Sequence, residues 1–174
     1  MSYAESLHSE YPQFDGETRY WTERSICYAL EENHIKFGEN FELHKKIDNV
    51  PFNKRKVHEV DIVLTSSFGE KLYVEVKGLM TYLEVNKLRY LLESEYDFYI
   101  FQLTEIDWMG PYTGETAKDF FKKSKKDFED QINELVKFVR GELKGAEMVK
   151  RSKERLDNFI AYRNKDIETW KSLE

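Results

Sequence analysis

The chain has 174 residues, of which 34% are charged and 15% aromatic, and its net charge is -6; that is enough for one good core, short for two, and too rich in packing residues for a disordered protein. No apolar run approaches the roughly 20 residues of a membrane helix, and the start Met1–Glu10 has neither the basic nor the apolar stretch of a secretory signal. The acidic balance weighs against wholesale non-specific binding to nucleic acid and leaves local basic patches to carry any phosphate contact. With Cys27 as its only cysteine the chain makes no intrachain disulfide. The expectation is a cytoplasmic protein without a membrane segment.

In chain order, residues 1–16 carry Pro12 without clear periodicity and read as an N-terminal arm. From about Glu17 to Asn33, Trp21, Ile26, Cys27 and Leu30 recur at helical steps. Glu23 lies on or beside that apolar stripe, where a charge is costly unless a cation or hydrogen bonds compensate it. The plainer reading of Glu23 is a rim glutamate paired with Arg19 or Arg24, and helix geometry alone leaves the two equal. Ile35 to Ile47 reads as a strand that bulges at Gly38. Turn residues 48–53 follow, then a basic loop, Lys54, Arg55 and Lys56, which is a candidate phosphate-binding patch.

A strand from Val57 to about Thr65 places Val60, Ile62 and Leu64 on one face and Glu59, Asp61 and Val63 on the other. A turn at Ser66–Gly69 leads to a strand from Lys71 to Lys77, where Glu75 and Lys77 share a face. In an antiparallel hairpin Asp61 comes level with Glu75, giving two carboxylates for a hard divalent cation with an ammonium beside them. That is the minimal equipment for metal-assisted phosphodiester hydrolysis. Tyr82 to Glu95 reads as a helix with Val85, Leu88, Leu91 and Leu92 inward and Lys87 outward. The aromatic segment Tyr96 to Thr104 reads as a buried strand, parallel to its neighbour because the crossover is right-handed.

Beyond Thr104 a loop, Asp107 to Gly114, precedes two helical stripes. The first runs through Phe120 or Phe121, Ser124, Phe128, Ile132, Leu135 and Val139; the second, Val149, Leu156, Arg163 and Trp170, has a seven-residue period. This C-terminal helical pair, residues 105–174, packs on the core or forms a homodimer interface. His34, His44 and His58 fit no closed zinc pattern and are assigned mainly to structure or surface, with His44 and His58 close enough in the predicted sheet to approach phosphate. Gln102 and Lys87 are candidate phosphate or water contacts, set against the plainer reading of surface polar residues.

A helix carrying Glu23, three strands carrying Asp61 and then Glu75-Val76-Lys77, a helix and a strand resemble the PD-(D/E)xK nuclease superfamily over about Glu17 to Thr104, most closely its small phage-type and archaeal junction-resolving members. Val60 stands where the motif has its name-giving proline. The resemblance implies a restriction-endonuclease-like α/β core (17–104) with a mixed sheet. It implies Mg²⁺ or Mn²⁺ held by Asp61, Glu75 and the Val76 carbonyl, with Glu23 completing or buttressing the site. Lys77 would activate or position water, or stabilise developing charge. It further implies an endonuclease acting on nucleic acid, most often DNA. A non-catalytic nucleic-acid-binding or assembly module of the same fold and an RNA-cleaving enzyme are the alternatives.

Overall fold

The computed structural model describes residues 21–48, 57–77, 82–102 and 115–173, with side chains described for 23–48, 57–77, 85–102 and 126–161. The basic loop Lys54–Lys56, the N-terminal arm, the Asp107–Gly114 loop and the side chains of Phe120, Phe121, Ser124, Arg163 and Trp170 lie outside these residues. Helix α1 (Trp21–Glu32) is followed by strands β1 (Phe41–Asp48), β2 (Val57–Thr65) and β3 (Lys71–Lys77), helix α2 (Tyr82–Glu93), strand β4 (Phe98–Gln102), and helices α3 (Glu115–Val139) and α4 (Gly145–Leu173). The strands form one sheet in the order β1-β2-β3-β4, antiparallel up to β3 and parallel between β3 and β4. The architecture is a mixed α/β fold. No helix among the described residues is long and apolar enough to cross a membrane.

Each face of the sheet buries one apolar cluster. On the first, Ile26, Cys27 and Leu30 of α1 and Leu135 and Phe138 of α3 meet Ile62, Leu72, Val74 and Tyr99. On the second, Val85, Leu88 and Leu91 of α2 and Leu156 and Phe159 of α4 meet Val60, Val63, Phe98 and Ile100. Because Met148 belongs to the first cluster and Leu156 to the second, α4 passes round the β4 edge from one face to the other. The C-terminal helices therefore complete the core by covering the strand whose outer edge has no strand partner among the described residues.

That covering solves a hydrogen-bond problem. An edge strand presents unpaired backbone groups that attract other strands, and here side chains take them. Ser152 Oγ accepts from Ile100 N at 2.9 Å. Gln131 clamps Gln102 at two points, its Oε1 accepting from the backbone N at 2.9 Å and its Nε2 donating to the backbone O at 2.6 Å. Ser152→Ala leaves a buried N–H without its acceptor and should lower the unfolding free energy by about 1–3 kcal/mol, read as a fall in the urea midpoint at constant slope.

Two sequence expectations are corrected. The strand expected from Ile35 begins only at Phe41, because Gly38, at φ +87°, and the hydrogen bond from Asn40 N to Lys36 O make a turn there. Alternation in β2 also breaks: Ile62 and Leu64 belong to the first cluster, but Val60 belongs to the second, with Val63. The same change of face occurs in β1 between Leu43, packed on the first cluster, and Ile47, in the second. Between them His44 sits at φ +52°, in the left-handed region that non-glycine residues rarely occupy. Pairing runs from Leu43 opposite Ile62 to Lys45 opposite Val60, so no residue is inserted as in a bulge. The backbone turns over in place, at His44 in one strand and beside Asp61 in the other.

Candidate functional site

The β2–β3 ladder runs from Thr65 opposite Lys71 to Ile62 opposite Val74 and stops there, one pair short of Asp61 and Glu75. β3 stays paired with β4 as far as Lys77 opposite Gln102. The two central strands thus part at Asp61. Its carboxylate takes the place of a strand carbonyl: Asp61 Oδ2 accepts from Val76 N at 2.8 Å. The fork tethers Asp61 to the Glu75-Val76-Lys77 segment through its side chain.

Helix α1 delivers Glu23 to the same point. Although ionisable, Glu23 is 1% exposed, on a helix whose neighbouring turns fill the first apolar cluster. Glu23 Oε1 lies 2.6 Å from His44 Nε2, and the other nitrogen of that ring, Nδ1, faces Glu59 Oε1 at 3.2 Å. One ligand atom from each of Glu23, His44 and Asp61 falls within 4.8 Å of the others. Ligands at about 2.0–2.1 Å from a six-coordinate ion are spaced roughly 3–4 Å apart, so for these three groups to hold a divalent cation the 2.6 Å Glu23–His44 contact would open slightly.

Glu75 is 3% exposed and accepts a hydrogen bond from His58 Nε2 at 2.6 Å; the His58 ring in turn lies edge-on to Phe98. The structure therefore brings Glu23 and Asp61 together with His44 and sets Glu75 against His58. The two acids still sense each other. Burial, then the Glu75 charge, raise the Asp61 carboxyl above its ordinary value, against the opposing pull of the Val76 N–H, Lys77 and His44. Burial, then Glu23, likewise push the Cys27 thiol far up, so Cys27 is an inert core residue. Lys77 ends β3, half-buried, and its charge reaches Asp61. Lys87 is half-buried on α2, and Val76 enters the site through its N–H.

A raised carboxyl value has a definite consequence for stability. The folded state holds the Asp61 proton to a higher pH than the unfolded chain does, so stability falls as pH rises from the ordinary 3.8 through the raised value. At neutral pH the ionised carboxylate is a net cost in metal-free protein. Asp61→Asn keeps an acceptor for Val76 N and cannot ionise. It should raise the Tm in chelator at pH 7 by a few degrees at most, since about 1 kcal/mol moves a chain of this size by roughly 2–4 °C. A Tm lowered at pH 7 would contradict this electrostatic account.

His44 is the site residue that sequence reasoning passed over as a ligand. The signal was the β1–β2 register, which puts position 44 across from 61, and that register is set by pairing rather than by spacing in the chain. Comparison with protein-family models and with curated proteins returns no match.

Proposed function

We propose that the chain is a Mg²⁺- or Mn²⁺-dependent endonuclease of the PD-(D/E)xK, restriction-endonuclease-like kind, acting on DNA. The observation that supports this reading best is the meeting of Glu23 from α1 with Asp61 at the fork between β2 and β3, with the Lys77 charge felt at Asp61. Glu23 is buried and Asp61 half-buried, and bringing two carboxylates to one point out of bulk water is costly unless a cation compensates them.

The donor set suits such an ion. Glu23 and Asp61 are the first holders, with Glu75 and the Val76 carbonyl as further oxygen donors. When bound, the ion supplies Lewis-acid neutralisation of charge at the scissile phosphate. The chain's own groups do the rest. Lys77 holds the attacking water and offsets charge on the phosphate oxygens as it develops, the point at which a preorganised cation is worth most. His58 fixes the rotamer of Glu75. Lys54, Arg55, Lys56 and Lys87 are assigned to the DNA backbone, where each neutralised phosphate adds affinity without sequence preference.

The test is cleavage of supercoiled, linear, branched and single-stranded DNA, with RNA in parallel, in Mn²⁺, in Mg²⁺ and in chelator. Metal-dependent cutting of DNA that disappears in Asp61→Ala supports the proposal. Folded protein that cuts none of these substrates with either ion refutes it, and cutting confined to RNA moves the activity to that substrate.

A further inference from the structure

We infer that His44 is a direct metal ligand, making Glu23, His44 and Asp61 a mixed nitrogen–oxygen site that selects Mn²⁺ and similar first-row divalent ions over Mg²⁺. This deepens the metal-centre reading above and rests on it.

Three observations lead here. The first is orientation. Nδ1 faces Glu59 and Nε2 faces Glu23; the neutral tautomer that keeps its proton on Nδ1 donates to Glu59 and presents the Nε2 lone pair to the site. A histidine whose far nitrogen is held by a carboxylate is the usual arrangement for a metal-bound imidazole, because the second partner fixes tautomer and ring direction. The second is distance. Nε2 and Glu23 Oε1 stand 2.6 Å apart. That is the length of a charge-assisted hydrogen bond with one proton between the two atoms; a divalent ion bound to both takes that proton's place as the atoms part to about 3 Å, since a ligand must give up its proton to a metal.

The third is backbone conformation. His44 is one of two non-glycine residues at positive φ among the described residues, and it lies within a strand whose pairing register is otherwise unbroken. Such a conformation is costly and persists where the surroundings hold it. Here it accompanies the change of face at Asp61, so the imidazole and the two carboxylates meet at one point. Imidazole nitrogen is a ligand for first-row transition ions, Mn²⁺ the weakest binder among them, whereas Mg²⁺ takes oxygen ligands almost exclusively. A nitrogen ligand from His44 therefore shifts preference away from Mg²⁺.

The test uses the whole chain and Mn²⁺ or Mg²⁺ as the probe. Calorimetric titration measures affinity for each ion, and pulsed paramagnetic resonance of bound Mn²⁺ detects coupling to a directly bound ¹⁴N. His44→Asn is the variant of choice, since asparagine tolerates the left-handed region, and a thermal melt confirms folding. Expected results are Mn²⁺ bound at least about tenfold more tightly than Mg²⁺ and ¹⁴N coupling in the parent. In His44→Asn the coupling should vanish and Mn²⁺ affinity should fall at least about tenfold, with Mg²⁺ affinity within about threefold. Glu59→Gln should weaken Mn²⁺ by about tenfold while retaining the coupling, the scale of losing a group that orients a ligand. Bound Mn²⁺ without ¹⁴N coupling, or equal losses for both ions in His44→Asn, overturns the inference. Cutting of DNA without the coupling overturns this inference and leaves the nuclease reading; coupling without any cutting supports His44 and overturns the nuclease.

Discussion

Lys77→Met should reduce Mn²⁺-dependent DNA cutting about 10²–10³-fold, the effect of deleting one preorganised charge-stabilising group, while leaving Mn²⁺ binding in place. Methionine keeps the length and packing of the lysine stem, and Lys77 terminates β3 with its backbone already paired to β4. The fold therefore loses little. Asp61 supplies a second readout. Burial is the main cause of its raised carboxyl value, Glu75 adds to it, and Lys77 is among the groups pulling it down. Without that ammonium the carboxylate becomes harder to ionise, so the acid limb of the residual pH–rate profile should move to higher pH. Lys77→Arg preserves the charge and should restore the limb, though not the rate, because a planar guanidinium does not reproduce a compact ammonium. Full activity in Lys77→Met would remove the lysine from the reaction.

What the sequence made legible, and what it hid, divides along the kind of interaction. Apolar periodicity located α1, since Ile26, Cys27 and Leu30 are all fully buried, and it located β3, where Leu72 and Val74 face one cluster and Tyr73 the other. The strand–helix–strand order foretold the parallel pairing of β3 and β4. Period-two reasoning failed at Val60, beside Asp61 and His44, where the strands turn over. A regular pattern assumes regular φ and ψ, and the candidate site lies where that assumption breaks. Gln131 and Ser152 were equally hidden: patterns of apolar residues carry no trace of which polar side chains will meet a strand edge 29 or 52 residues away. His44 was undervalued because its neighbours Glu23 and Asp61 are brought to it by a helix and a register, neither of which local spacing encodes.

Arg155→Met should destabilise the β4 side of the fold. Glu134 of α3 accepts from Tyr99 Oη at 2.8 Å, from Arg155 Nη1 at 2.9 Å and from Arg155 Nη2, with Arg151 at 3.3 Å, and Arg155 also donates to Tyr99 Oη and lies over its ring. One glutamate thus joins α3, α4 and β4. Removing one member of a buried ion pair costs about 3–5 kcal/mol. The Arg155 side chain is 29% exposed and Arg151 remains, so solvent and the second guanidinium reduce the loss to about 2 kcal/mol. Its pH dependence follows from Glu134. Burial works to raise that carboxyl, but the hydrogen bonds from Arg155 and Tyr99 and the charges of Arg155 and Arg151 outweigh it and hold the group below its ordinary 4.5. Stability from a depressed carboxyl is complete above the unfolded value and is lost as pH falls through the folded one. The difference in urea midpoint between parent and Arg155→Met should therefore be full at pH 7 and shrink on acidification below 4.5. Adding Glu134→Leu and Tyr99→Phe removes the stranded polar groups and should recover part of the loss. A gap that stays constant down to pH 3 would show that Arg155 contributes through the packing of its stem rather than through Glu134.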